Sequence, residues 1–525
     1  MTVTVANLPY DFCPNSQAVS NQGFMFKNAY DAWFYTNSTA TAAQITDIDY
    51  PGYHSYSVTL TSASTTATAV TSADHGLSVG DSVTIAGATP SAYNGTYTVA
   101  TVADSTHFTY TFAGGTSPAT GTITAVGGAV TVPGIVFIDG YFVVMDTNGI
   151  IYSSGLNDPT SWNALDFLTA QVEPGSGKAL GKTQNYVIAL KEWSCEFFYD
   201  AGNATGSPLS TVGNGFNLIG CASGASVANL DGTLFWVSQT RQKGRGVHLM
   251  QGLETVQVST PDVERILNKS TLATVYSFGV KIAGHAFYVL TLTDQNITLV
   301  YDMTSKTWAI WSSLTAGTPV SVTSITLSGT TATVVATAHG LSDGDPVLIA
   351  GANQAAYNGI KAISYVDANT FTFQTTAGTT TPATGTITAT PYTETYFKYT
   401  KYIQAFNKDL LQHETNGTLV ELTEAAYSDV GIPVNLKVRT GKLDGGNTNV
   451  KRYASLEVIG NKVSGTAYVR HSGDDYTTWS DYRPVDLSAE RSTIRRLGAD
   501  RRRSYELRYL DSTALQISSL ELEVV

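Results

Sequence analysis

Apolar and polar residues alternate through most of this chain in short runs, broken by Asp-Gly, Asn-Gly and Gly-Gly pairs. A period of two with that punctuation predicts half-buried β-strands joined by tight turns. The stretch "GIVFIDGYFVVMDTNGIIYSSGLNDPTSW" (134–162) reads as successive strands with hairpin turns at Asp-Gly and Asn-Gly. "NYVIALKEWSCEFFYDAGN" (185–203), "GTLFWVSQTRQKGRGVHLMQGLETVQVS" (232–259) and "HAFYVLTLTDQNITLVYDMTSKTWAIW" (285–311) repeat that antiparallel meander. Two meanders set a Trp just after a polar turn, in "SGLNDPTSW" (Ser154–Trp162) and "YDMTSKTW" (Tyr301–Trp308). Such endings suit a β-propeller, whose blades bury an aromatic against the next blade. A single helix stands out, Pro261–Lys269, with Thr260 as N-cap and Pro261 at the first helical position.

A second pattern interrupts the first. The octapeptide "PATGTITA" occurs at Pro118–Ala125 and again at Pro382–Ala389. Extended backwards, "HGLSVGDSVTIAGATPSAYNGTYTV" from His75 aligns with "HGLSDGDPVLIAGANQAAYNGIKAI" from His339. A Phe-Thr-aromatic triplet recurs at Phe108–Tyr110 and Phe371–Phe373. Copies separated by unrelated sequence are not a tandem solenoid. They predict two small β-barrel or sandwich modules spliced into propeller loops, an insertion that costs little when the loop ends stay close. From Gly431 the strings "RYASLEVIG", "GTAYVRHS", "RSYELRYL" and "LQISSLELEV" alternate again and predict a C-terminal β-sandwich. The expected layout is an all-β protein: propeller in 1–58, 126–321 and 391–430, inserted modules in 59–125 and 322–390, and the sandwich in 431–525.

Composition supports strands over helices, since only 14% of residues are charged and long helices need charged solvent faces. The start, "MTVTVANLPYDFC", lacks the basic residues and apolar run of a secretory signal, and Ser105–Ile138 is too rich in Thr, Gly and Ser to sit in lipid. No membrane anchor is expected. Cys13, Cys195 and Cys221 are odd in number and far apart, which argues against a disulfide framework or a zinc site. The net charge of −12 is unevenly spread. Residues 1–177 hold one basic residue, Lys27, against twelve Asp and Glu, whereas eleven of the fourteen arginines follow Gly431. An acidic front and a mildly basic back disfavour an ordinary basic duplex-DNA binder.

Candidate chemistry is sparse. "GSGKALGKT" (Gly175–Thr183) has too few residues between its glycines for a phosphate loop and lacks a βαβ setting, so it reads as an inter-strand loop. "SGDDYTTW" (Ser472–Trp479) resembles the Asp-box turn of sialidase-type propellers, with Tyr476 where that motif has Gly; it reads as a structural turn. His75 and His339 lack recurring ligand partners and read as turn residues. Tyr93, Tyr97 and Tyr357 read as core aromatics, with sugar stacking as the alternative. No catalytic, cofactor-binding or metal residues emerge. The sharpest electrostatic feature is "RSTIRRLGADRRRSYELR", with Arg491, Arg495, Arg496, Arg501, Arg502 and Arg503 as a candidate interface. Two readings stand: contact with phosphates or an acidic partner, or a strand face paired with Glu490, Asp500, Glu506 and Asp511.

The strings "TTWSDYRPVDL" and "IRRLGADRRRSYELRYLDSTALQISSLELEV", with the blade "DGYFVVMDTNGIIYSSGLNDPTSW", resemble the packaged-DNA stabilisation proteins of short-tailed bacteriophages, also called tail nozzle or tail hub proteins. The resemblance implies a non-enzymatic virion component with no cofactor, assembled in the host cytoplasm. It implies a homo-hexameric ring below portal and adaptor that prolongs the channel and retains the genome until ejection. DNA passes such a ring without sequence-specific binding; tail fibres, spikes or a needle are further partners. The alternative is a glycan-binding or glycan-hydrolysing, sialidase-like propeller. It needs an arginine cluster in the propeller, where only Arg241, Arg245 and Arg265 occur.

Overall fold

A computed structural model describes residues 10–15, 22–242, 244–405, 408–415, 417–447 and 449–525. Most of the opening "MTVTVANLPYDFC" lies outside them. The protein is all-β and folds as two compact units, one reaching Gln295 with Leu299–Ala309, the other formed by Asn296–Thr298 and Ile310–Val525.

In the first unit, four-stranded antiparallel meanders follow one another. The first comprises Asp11–Pro14, Gly23–Lys27, Ala32–Thr36 and Thr41–Gln44. The next comprises Val136–Ile138, Tyr141–Met145, Ile150–Gly155 and Asp158–Thr169; the third comprises Gly177–Thr183, Tyr186–Lys191, Cys195–Asp200 and Leu209–Asn217. A five-stranded sheet (Gly220–Gln257) follows, and after it Val275–Ile282, His285–Leu292, Ile297–Asp302 and Thr307–Ala316 pair in sequence, the last two strands having residues in both units. These are the blades of the propeller.

Their inner strands carry near-continuous apolar runs because both faces are covered by neighbouring blades. Met25 and Phe34 of the first blade pack with Phe142 and Val144 of the second, and Val143 and Ile151 pack with Val187 and Phe198 of the third. Ile188 and Phe197 in turn meet Leu234 and Trp236. The two turn-then-Trp endings tie their blades to the chain that precedes them. Trp162 meets Tyr50 edge-on at 5.1 Å, and its backbone N–H donates to Asp47. Trp308 donates through Nε1 to the Val258 carbonyl at 2.8 Å. The helix Pro261–Lys269 forms with Thr260 at the N-cap, although the Thr260 side chain makes no capping bond.

The first inserted module is a closed six-stranded barrel made from Tyr53–Ala63, Thr66–Thr71, Ser82–Ala86, Gly95–Asp104, His107–Thr111 and Thr124–Gly128. Its entry and exit strands pair, with Gly128 opposite Tyr53, so the chain leaves beside where it entered. Alternation fills the interior with Tyr56, Val58, Leu60, Val83, Ile85, Phe108 and Tyr110. In the second unit the repeat follows the same circuit of pairings, with its first strand divided into Val320–Ser321 and Ser324–Ser328.

The shared octapeptide has a physical reason. Gly121 lies at φ +116°, and a Cβ there would meet the Gly87 carbonyl oxygen at 2.3 Å. Gly385, at φ +119°, faces Gly351 in the same way at 2.2 Å. Two backbone segments cross where only glycines fit.

The second unit also holds a three-stranded sheet, Tyr399–Ala405, Lys408–His413 and Leu419–Leu422. The C-terminal sandwich stacks one sheet ordered Leu436–Arg439, Ser504–Tyr509, Thr466–Ser472, Arg483–Asp486 on another ordered Thr493–Asp500, Lys451–Gly460, Ile517–Val524. Tyr453, Leu456, Val469, Ile494 and Leu507 lie between them.

Candidate interaction surface of the C-terminal sandwich

The arginine run divides by environment. Thr493–Asp500 pairs with Lys451–Gly460, with Arg495 opposite Ser455, and the register then shifts. Arg496 sits in that irregularity at φ +61°, a left-handed conformation that a non-glycine residue adopts at a cost. Arg495, Arg496 and Arg501 are exposed, and among the described residues none forms an ion pair at contact distance, although the Arg495 charge acts on Glu457. Arg491 grips Glu457, at 3.1 Å from Nε, and Arg502 pairs with Asp475.

Arg503 departs from the expected interface. It is buried, where its guanidinium lies 4.6 Å from the Tyr453 ring centre, donates to the Leu497 carbonyl at 2.6 Å and pairs with Asp500. Fixed acceptors replace water there, so this arginine serves the sandwich interior. The expected partners are met in part. Asp500 pairs with Arg503, but Glu506 serves Arg439 and Arg470, and Asp511 accepts from the Thr466 backbone.

Glu506 centres a network with no strong sequence signal. It is fully buried, accepts from Arg470 Nε at 2.9 Å and the Tyr482 hydroxyl at 2.6 Å, and pairs with Arg439. Burial pushes its carboxyl up, but the Tyr482 hydroxyl and the Arg470 and Arg439 charges outweigh this and hold it below the usual range. Arg470 lies 4.5 Å from the Tyr482 ring centre and 4.8 Å from that of Trp479. The Asp-box-like turn supplies Trp479: Asp474 accepts from the Ser472 hydroxyl and the Thr478 N–H, and Tyr476 takes φ +69° where the motif has Gly.

Beside this network lies a cleft of about 580 Å³ lined by His471, Ser480, Tyr482, Arg483 and Arg496 from the sandwich and by Thr330 and Gln374 from the second module. Burial, then the Arg503 charge, pushes the His471 imidazole down to about 4, so it is neutral at pH 7.

The other candidates are structural. Nδ1 of His75 and of His339 accepts from the N–H two residues on, at 2.9 and 3.0 Å, and each ring meets a Phe edge-on. Tyr93 and Tyr357 are buried, and Tyr97 stacks on Tyr110 at 4.5 Å, so the aromatics pack the module cores. The phosphate-loop lookalike is not the inter-strand loop expected of it: Gly177–Thr183 is a strand paired with Tyr186–Lys191, its backbone groups engaged in that ladder. Arg245 donates to the Leu267 and Ser270 carbonyls, Arg241 pairs with Glu173 and Arg265 with Asp262, so the three propeller arginines are separately engaged. Burial pushes the Cys195 and Cys221 thiols up to about 12. Among the described residues no three His, Cys, Asp or Glu converge to hold a metal, and no helix is long and apolar enough to cross a membrane.

Comparison with protein-family models finds the phage stabilisation family, described as bacteriophage P22 Gp10, β-propeller, over residues 55–327, just over half of the chain. The chain belongs to the phage packaged-DNA stabilisation family. The family's match runs from the first strand of the first module to the start of the second. The C-terminal strings that also resembled the stabilisation proteins lie beyond it. No curated protein matches the chain. Among solved structures, the computationally designed Ika8 protein overlaps 77% of this chain and 93% of its own, at 10% identity and a TM-score of 0.25. BamB from Moraxella catarrhalis overlaps 70% of this chain and 98% of its own, at 10% identity and a TM-score of 0.23. Both overlaps are loose, and the propeller assignment rests on the sheets and the family model.

Proposed function

We propose that this stabilisation-family protein is the tail nozzle, or hub, of a short-tailed phage virion. Six copies form a ring that extends the DNA channel below portal and adaptor and helps retain the packaged genome until ejection. The observation that carries the reading is the family match on a run of four-stranded blades. The charge distribution supports it. Lys27, the one Lys or Arg of the first 177 residues, is buried, so that part of the chain offers DNA no exposed lysine or arginine. A wall of that kind lets a polyanion slide where a lysine-rich one would grip it. The two modules are displayed accessories that contact fibres, spikes or a needle, and the role is structural rather than enzymatic. Negative-stain imaging of the purified full-length protein tests the reading. Six-fold rings with a central channel are expected, and particles that remain monomeric in the presence of the adaptor would overturn it.

A further inference from the structure

The cleft beside the Glu506 network holds positive charge that the protein does not compensate. Arg483 is half-buried, and the one bond its side chain makes among the described residues is a long 3.4 Å contact from Nη1 to the Arg496 carbonyl. Burial lowers its guanidinium below the ordinary value, as expected for a cation partly stripped of water without a counter-charge. Arg496, on its left-handed backbone at the register shift, lines the same cleft and brings a second arginine to it. The only carboxylate of the lining, Asp481, is exposed and forms no ion pair with either arginine.

The remaining walls supply neutral hydrogen-bonding groups. Ser480 and the neutral His471 come from the sandwich, and Thr330 and Gln374 come from the second module. Gln374 accepts from the Thr330 hydroxyl at 2.9 Å and donates to Thr331 at 3.0 Å, which fixes its amide. We propose that this cleft binds a phosphate group, held by the two guanidinium forks of Arg483 and Arg496 and by the second amide hydrogen of Gln374. A phosphate has enough oxygens to engage both forks and that amide together, whereas a carboxylate is satisfied by one guanidinium. The phosphate belongs to a small ligand or to a nucleic-acid backbone. The cleft lies outside residues 55–327, so the assignment is independent of the family match.

The test titrates the full-length protein with inorganic phosphate by calorimetry and with a fluorescein-labelled oligothymidylate by anisotropy. The variants are Arg483→Gln with Arg496→Gly, and Arg491→Gln as a control that removes a charge outside the cleft. Arg496→Gly also relieves the left-handed strain, so a folded variant is available, and near-UV circular dichroism verifies folding. Saturable binding of at least one probe is expected, weakened by at least roughly tenfold in the double variant and unchanged in the control. Phosphate alone binding identifies a small ligand; oligonucleotide binding that phosphate competes away identifies a backbone. The proposal is overturned if neither probe saturates, if the control loses as much as the double variant, or if an oligoglutamate peptide displaces the probes more effectively than phosphate does.

Discussion

Arg470 and Asp343 stand 127 residues apart in sequence, yet Nη1 of the one lies 2.6 Å from Oδ2 of the other. Through this pair the second module is fastened to the C-terminal sandwich. In the first module the equivalent of Asp343 is Val79, within "HGLSVGD" where the second copy reads "HGLSDGD", and that valine is 66% exposed. The two copies therefore share a fold and differ at this turn.

Replacing Asp343 with valine, as in the first copy, is expected to weaken that attachment by about 1–2 kcal/mol, because the carboxylate is half-exposed and partly screened. Arg470→Met is expected to cost more, about 3–5 kcal/mol, since it strips a partner from the buried Glu506. Thermal melts with hydrogen exchange at the Ser342–Gly344 turn would measure both. Equal losses for the two variants would show that Asp343, not Glu506, governs Arg470.

The crossing glycines make a separate prediction. Gly121→Ala and Gly385→Ala are each expected to cost about 2 kcal/mol or more, because the new Cβ meets a backbone oxygen at a positive φ. Limited proteolysis should cut each variant within its own module and leave the other copy protected. Indiscriminate cleavage would mean that the modules do not fold as separate circuits.

Trp162 anchors the second blade on the first. Trp162→Ala is expected to destabilise the first unit by about 3–5 kcal/mol, the range for truncating a large buried aromatic. Trp162→Phe keeps most of the edge-on contact with Tyr50 and should lose less, as chemical denaturation would reveal.

Acidification should weaken the sandwich. His471 is held near 4 when folded against an ordinary value of 6.5, so between those values the unfolded chain binds more protons than the folded one. Stability is therefore lost as the pH falls from about 6.5 towards 4 and is unaffected by His471 above that window. His471→Gln should flatten this part of the profile in denaturation curves. An unchanged slope would assign the loss to other groups.

Much of this architecture was legible in the sequence, because strand periodicity and turn chemistry are local. The helix Pro261–Lys269, the meanders and the paired modules follow from alternation, a Pro at the first helical position and an internal repeat. What escaped depends on distant partners. Asp500, three residues from Arg503, is among the partners expected for the arginine run, but nothing near Arg503 shows that Tyr453 will cover it, and nothing near Glu506 shows that Arg439 and Arg470 converge on it. The substitution of Asp343 for Val79 was visible as a difference between the repeats, but its meaning appears only once Arg470 is beside it.

Lys27 is 1% exposed, with Nζ donating to the Val132 carbonyl at 2.6 Å. Among the described residues Lys27, beside Asp11, and Arg241, beside Glu173, are the Lys and Arg that pair with carboxylates of residues 1–177, so most of the neutralising charge there comes from solution. A mobile layer of magnesium, potassium or polyamine then stands between these carboxylates and any passing polyanion, spread over a screening length of about 8 Å at physiological salt. Drag on a polyanion passing there would follow the ionic medium, and a change of buffer would adjust it without altering a single side chain.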